Sequence, residues 1–394
     1  MSNTQINKDI FALDGEYIAH TYSRFPVAIS HGEGSLLYDE NGKEYIDLGT
    51  GIAVNTFGAA DKEWIGAVTD QLSKVAHTSN LYYTEPQAKL AELLCKRTGM
   101  KRVFFANSGA EANECAIKTA RKYAADNKGK EFYNIITLKN SFHGRTITTL
   151  AATGQDVFHE DFTPLTQGFL YAEANNIESV KALIDEHKCA AVMLECVQGE
   201  GGVLPMQKEF MTELEKLCRE LDVLLVIDEV QTGNGRCGEL YAYMNYGITP
   251  DIVTTAKGLG GGLPIGACLF SDKVKDTLSY GQHGSTFGGN PVCAAGAVNI
   301  ISRIDDELLT SVREKSEFII DFLSGVRGVK SVSGLGLMLG VETEKNAKEV
   351  VTKLIERGVL VLTAKTKIRL LPALNIPNEQ LTKALNIIKE VIEE

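Results

Sequence analysis

Residues 223–262 read VLLVIDEVQTGNGRCGELYAYMNYGITPDIVTTAKGLGGG, and the order of residue types in this stretch decides the fold. An apolar run ends in Asp228-Glu229, and a second, Ile252-Val253, leads through Thr254-Thr255-Ala256 to Lys257 and a glycine cluster. The first run reads as a buried strand that ends in a carboxylate. A lysine before glycines, 29 positions after that aspartate, suits one chemistry: the lysine holds an aldehyde cofactor as a Schiff base, and the aspartate keeps the cofactor's ring nitrogen protonated. Taken alone, such a lysine fits a solvated surface group better.

The same pattern extends on both sides. From about residue 102, short apolar runs at 103–106, 134–138, 190–194, 223–227, 252–255 and 267–270 alternate with amphipathic helices such as 112–125 and 210–221. Continuous apolar strands separated by helices predict an α/β fold with a mostly parallel sheet covered on both faces. A ligand then belongs at the carboxyl ends of the strands. Upstream, the chain is irregular at first. Leu36-Leu37-Tyr38 and 45–48 then flank the turn Asp39-Glu40-Asn41-Gly42 as a hairpin. Helical spacing follows at 62–76 and, opened by Pro86, at 87–98. Beyond a helix at 291–302 the tail reads as α+β: helices at 312–323, 347–357 and 379–392, with strands at 329–333, 337–341, 359–362 and 368–371. The expected organisation is a segment 1–60 whose hairpin joins a smaller domain, a large α/β domain at 61–300, and the small α+β domain at 301–394.

Composition narrows the function. The 394 residues are 44% hydrophobic and carry a net charge of −11. That charge argues against general nucleic-acid binding, which needs a basic surface, and leaves room for anionic small substrates gripped by a few converging arginines. Eight scattered cysteines without a CxxC pair read as reduced thiols rather than a disulfide framework or zinc site. No apolar run is long enough to cross a membrane, and residues 1–17 lack the features of a signal peptide. The expected compartment is the cytoplasm.

Four further stretches carry chemistry. Asn107-Ser108-Gly109-Ala110-Glu111-Ala112-Asn113-Glu114 joins a strand to a helix; its small residues suit either an anion at the helix N-terminus or an ordinary N-cap by Ser108 or Asn107. Phe142-His143-Gly144-Arg145 follows the 134–138 strand, placing an aromatic that can stack on a flat ring beside an arginine that can grip a carboxylate. A core phenylalanine and a surface arginine fit the same pattern. Glu195 and Glu200 lie among glycines after another strand, so they are either exposed or face arginines in a cleft. The glycines at 258 and 260–262 do not fit a nucleotide loop: residue 263 is leucine, and the lysine precedes them. No HExxH pair or Cys/His spacing supports a metal site.

Together these stretches closely resemble the class III, fold-type I, pyridoxal-phosphate aminotransferases. The resemblance rests on LLVIDEVQTG at 224–233, Pro250-Asp251-Ile252, Lys257-Gly258 and HGSTFGGNP at 283–291. SGAEANE at 108–114, FHGR at 142–145 and QGEGG at 198–202 match in the same order. It implies pyridoxal 5′-phosphate bound covalently to Lys257, with Asp228 on the pyridinium nitrogen, Gln231 on the ring-hydroxyl side and Phe142 over one face. Ser108, Gly109 and Ala110 would cradle the phosphate. Ala110 stands where the family usually has threonine, which removes a hydroxyl and keeps the backbone donor. Thr286 would reach the phosphate of the other subunit, implying a homodimer with shared active sites.

The resemblance also implies a substrate logic. TYSRFPVA at 21–28, GIAVNTFG at 51–58, SNLYYTEPQAKLAELL at 79–94 and IRLLPAL at 368–374 look most like the branch of the family that acts on N-acetylornithine. Arg145 would meet the carboxylate of that terminal amine donor. Arg369 would hold the α-carboxylate of glutamate, and Glu200 would pair with Arg369 until glutamate arrives. Ser285 of a second subunit and Tyr22 are candidates for the substrate's far end. The implied reaction is amino transfer between N-acetylornithine and 2-oxoglutarate, as in arginine biosynthesis. Succinylornithine, succinyldiaminopimelate, ornithine and 4-aminobutyrate are the alternative donors.

Overall fold

The computed structural model describes residues 3–394. Its largest sheet has seven strands, in the order Arg102–Ala106, Gly266–Phe270, Ile252–Thr255, Leu224–Asp228, Cys189–Glu195, Asn134–Leu138, Phe169–Ala172. Gly266–Phe270 runs antiparallel to both neighbours, and the remaining pairs are parallel. Leu224–Asp228 and Cys189–Glu195 are buried at every position, as expected for strands covered on both faces. One apolar cluster on the sheet includes Val192, Leu194, Leu225 and Ile227; another includes Ala191, Met193, Leu224 and Val226. The alternation along each strand therefore feeds two separate cores.

The edge strand Phe169–Ala172 is absent from the sequence expectation. Three of its four residues are only partly buried, so no continuous apolar run marked it. A helix at Asn3–Tyr17 replaces the expected irregular start. Its Ile10, Phe11, Leu13 and Tyr17 face solvent in the single chain, so they form no buried stripe to read. The helix after the first sheet strand spans Gly109–Asn127 and so begins three residues before the expected 112.

A second four-stranded sheet has the order Val329–Leu335, Met338–Thr343, Lys367–Leu370, Leu362–Ala364. In a third, Glu44–Asp47 pairs in parallel with Val359–Leu360. The single strand expected at 359–362 is therefore two, and the chain changes sheets at Val361. Tyr45, Ile46 and Leu48 share an apolar cluster with Val312, Leu339, Leu354, Ile368 and Leu385. Buried Arg236 donates to the carbonyls of Leu337 and Pro372, tying the 230–240 loop to the C-terminal sheet. Among the described residues no helix is long and apolar enough to cross a membrane.

Candidate active site

At the carboxyl ends of the central strands, register places three polar residues in a row. Asp228 lies opposite Glu195 on one side and Thr254 on the other. Each follows a run of buried apolar residues, so strand burial carries them into the interior. Asp228 Oδ2 accepts hydrogen bonds from Asn113 Nδ2 at 2.8 Å and shares one with His143 Nδ1 at 2.8 Å, while Oδ1 accepts the Val230 amide. Thr254 Oγ1 donates to Asn113 Oδ1 at 2.6 Å, which fixes the amide so that its nitrogen faces Asp228. This network holds the carboxylate in one orientation. Burial opposes the charged form of His143, but the hydrogen bond and charge of Asp228, helped by Glu195, raise its pKa above the ordinary value. The His143 Nε2 atom is buried and, among the described residues, without a partner.

Sequence reading did not single out Asn113 or Thr254. The one available signal for Asn113 was a polar residue in line with Ala116, Ile117 and Ala120 on the helix's apolar face. Glu195 turns its carboxylate towards the Phe142 and Gly199 amides. Burial, opposed by His143 and reinforced by Asp228, pushes it up to about 7. Of the two carboxylates left open by the sequence, only Glu200 faces an arginine: its Oε1 lies 2.6 Å from Arg369 Nη1. Arg369 Nη1 also donates to Gln231 Oε1 at 3.1 Å, and its Nε is buried with no partner among the described residues.

Asn113, His143, Glu195, Asp228 and Gln231 border a cavity of about 460 Å³, lined also by Ser108, Gly109, Ala110, Phe142, Arg145 and Lys257. That volume falls in the range of small-ligand pockets. Lys257 follows the Ile252–Thr255 strand with a left-handed backbone, φ +46°, which turns the chain at the cavity floor. Burial lowers its ammonium pKa; Glu200 and Asp228 oppose this, and Arg369 adds to it. Ser108 is the N-cap of Gly109–Asn127: its Oγ accepts the Glu111 amide and donates to Glu111 Oε2. The N-cap reading of this motif holds, and the same turn borders the cavity. The hydroxyl is committed to the cap, and the first-turn N–H groups of Gly109 and Ala110 stand at the cavity wall. A Cβ on Gly109 would lie 2.6 Å from Val230, so only glycine lets the helix start this close to the strand end.

Arg145 is exposed, with its guanidinium over the rings of Phe158 (4.4 Å) and Phe142 (5.5 Å). Among the described residues it makes no ion pair. Five expected residues do not line the cavity of the single chain: Glu200 and Arg369, which meet each other and Gln231 beside it, and Tyr22, Ser285 and Thr286. Tyr22 is 73% exposed and stacks with Arg24. Thr286 is exposed, and Ser285 Oγ accepts from Asn107 Nδ2 at 3.1 Å, outside the cavity edge.

Glu229, next to Asp228, points the other way. It accepts from Thr232 Oγ1 and the Tyr243 amide, and burial pushes it up to about 7 despite those bonds. A folded value above the ordinary 4.5 contributes stability that is complete below about 4.5 and lost as pH rises through about 7. Glu229→Gln should therefore gain about 1–3 kcal/mol on wild type between roughly pH 5 and pH 8. Urea denaturation at the two values measures it.

A carboxylate fixed for a ring nitrogen, a lysine of lowered pKa and a helix N-terminus, all on one cavity, fit pyridoxal phosphate. The chain belongs to the class-III aminotransferases: residues 17–392 match that family, whose members are pyridoxal-phosphate enzymes. It is 50% identical to an acetylornithine aminotransferase of Haemophilus ducreyi, covering 100% of both chains. Among solved structures, the N-acetylornithine aminotransferase of Stenotrophomonas maltophilia K279a shares 35% identity at TM-score 0.84, covering 97% of this chain and 98% of that one. The ornithine aminotransferase of Toxoplasma gondii ME49 shares 32% identity at TM-score 0.94, covering 98% and 94%.

Proposed function

We propose that the chain transfers the terminal amino group of N-acetylornithine to 2-oxoglutarate, giving N-acetylglutamate 5-semialdehyde and glutamate. The observation that carries this reading is the unequal state of the two arginines. Arg369 is closed by Glu200 at 2.6 Å, whereas Arg145 is open at the cavity mouth. A donor that reacts at its terminal amine keeps its carboxylate several bonds from the reacting carbon, within reach of an outer arginine. An inner arginine left uncovered would attract that carboxylate to the wrong place. Glutamate reacts at its α-amine and needs the inner grip, so Glu200 must give way to it.

Pyridoxal phosphate bound here supplies an aldehyde that condenses with the substrate amine and a ring that withdraws electrons from the reacting carbon. The protein supplies the remainder. Lys257 Nζ would hold the cofactor and would carry the proton to and from the reacting carbon; a lowered pKa suits a base at neutral pH. Asp228, steadied by Asn113 and His143, would hold the proton on the ring nitrogen. With the cofactor bound, Gln231 would stand on the ring-hydroxyl side, Phe142 would cover a face, and the Gly109 and Ala110 amides would take the phosphate. Thr286 and Ser285 act on the neighbouring subunit's site, which makes the working unit a homodimer in the cytoplasm. Tyr22 meets the far end of the substrate.

A donor panel tests the reading. N-Acetylornithine should exceed free ornithine and 4-aminobutyrate in kcat/KM by roughly 10–100-fold, because free ornithine brings a second ammonium up to Arg145 and 4-aminobutyrate is one carbon shorter between amine and carboxylate and lacks the acetamido group. Preference for free ornithine overturns the choice of donor. Turnover that consumes no 2-oxoglutarate overturns amino transfer.

A further inference from the structure

Glu200 sits on a segment that is held at both ends. Val197–Gln198 pairs with Leu204–Pro205, and Gln198 Nε2 donates to the Lys139 carbonyl at 2.8 Å. Gly201 packs so closely that a Cβ there would lie 2.6 Å from the Asn140 carbonyl oxygen. At the other end Val203 is fully buried with φ +54°. Its carbonyl accepts from Ser333 Oγ at 2.8 Å, and Ser333 Oγ accepts from Lys367 Nζ at 2.7 Å. Ser333 and Lys367 lie on the sheet that also carries Arg369, two residues beyond Lys367 on the same face. Lys367 is 8% exposed and, among the described residues, makes no ion pair. Burying an ammonium is costly; the Glu342 carboxylate opposite it in register offsets part of that cost, and the hydrogen bond to Ser333 fixes where the ammonium sits. Gly340, opposite Arg369 in register, leaves the space: a Cβ there would lie 2.8 Å from Val203 Cβ and 3.2 Å from Lys367 Cδ.

We propose that Lys367 and Ser333 are positioning residues for the Glu200–Arg369 pair, pinning the Val203 carbonyl to the sheet that bears Arg369. Glu200 then closes on Arg369, and leaves it, by rotating its own side chain about a fixed backbone. The proposal rests on the exchange of Glu200 for the glutamate carboxylate set out above. Its consequence falls on one substrate. A fixed backbone makes closure cheap in entropy and so favours the closed state. Glutamate must work against that closure, because it binds only the open state, and its apparent affinity falls by the open fraction. N-Acetylornithine uses the closed state and gains nothing when the anchor is lost.

The test measures each donor's half-reaction with the holoenzyme, followed by cofactor absorbance, in wild type and in Lys367→Met. The variant should lower KM for glutamate about three- to tenfold at unchanged kcat, the range of one buried hydrogen bond, with no rise in kcat/KM for N-acetylornithine. Ser333→Ala should do the same, and Ser333→Thr, which keeps the hydroxyl, should restore wild-type values. A merely structural role cannot improve one substrate alone. A glutamate KM that rises or stays put, or an equal loss with both donors, overturns the proposal. Wild-type enzyme is assayed first: failure with either donor removes the underlying reading, whereas failure confined to the variants removes only the anchor.

Discussion

Lys257→Ala should abolish amino transfer, with a loss of roughly 10⁴-fold or more, since it removes the proton-transferring amine together with the covalent hold on the cofactor. The visible absorption that comes from that covalent link should vanish with it. The fold should survive. The lysine side chain is a partly buried cation whose ammonium is disfavoured by its surroundings, so its removal relieves a cost rather than opening a core cavity. The left-handed backbone remains strained under alanine as it is under lysine. Tm should therefore stay within a few degrees of wild type, and pyridoxal phosphate should still be retained, reversibly, at the helix N-terminus. Substantial turnover in this variant would take Lys257 out of the chemistry and remove the reason for its place on the cavity floor.

How far the sequence discloses this site depends on the kind of contact involved. Strands such as Leu224–Asp228 were legible because burial on both faces leaves an unbroken apolar run, and the polar residue ending the run marks the ligand side of the sheet. Phe169–Ala172 lacks that signature, since an edge strand is covered on fewer sides. Asp228 and Lys257 could be picked out because each sits where a run stops. Asn113 and Thr254 could not, since their value lies in register. Asn113 meets Asp228 across 115 residues and Thr254 across 141, and packing between distant elements sets both contacts. The two carboxylates in ECVQGE divide for the same reason. Nothing local separates Glu195 from Glu200; what separates them is Arg369, which is 169 residues from Glu200 and aligned on a different sheet. The strand at 359–362 splits because one half finds a partner in the N-terminal hairpin, which no pattern within those four residues records.

Asp228→Asn should lower kcat by about 10³-fold, the scale of removing one preorganised electrostatic group from a water-poor site, while leaving the covalent link to Lys257 and its absorption in place. The two variants thus separate by spectrum: loss of colour with Lys257→Ala, colour without turnover with Asp228→Asn. The geometry explains why so small a change matters. Asp228 Oδ2 serves both Asn113 Nδ2 and His143 Nδ1, and Asn113 cannot turn its oxygen towards a new amide without losing Thr254. An asparagine at 228 therefore either presents its oxygen to these two donors, turning its NH₂ to the Val230 amide, or presents its NH₂ and leaves Asn113 unsatisfied. Either choice leaves a buried donor facing a donor, costing about 1–3 kcal/mol of stability that urea denaturation can read. His143 should respond as well. Its raised pKa depends on the bond to Asp228 and on that residue's charge, working against burial. Without them burial dominates and the imidazole stays neutral to lower pH. An NMR titration of His143 that shows no fall in pKa would mean that Asp228 is not the group holding the proton in this network, and its assignment to the ring nitrogen would fall with it.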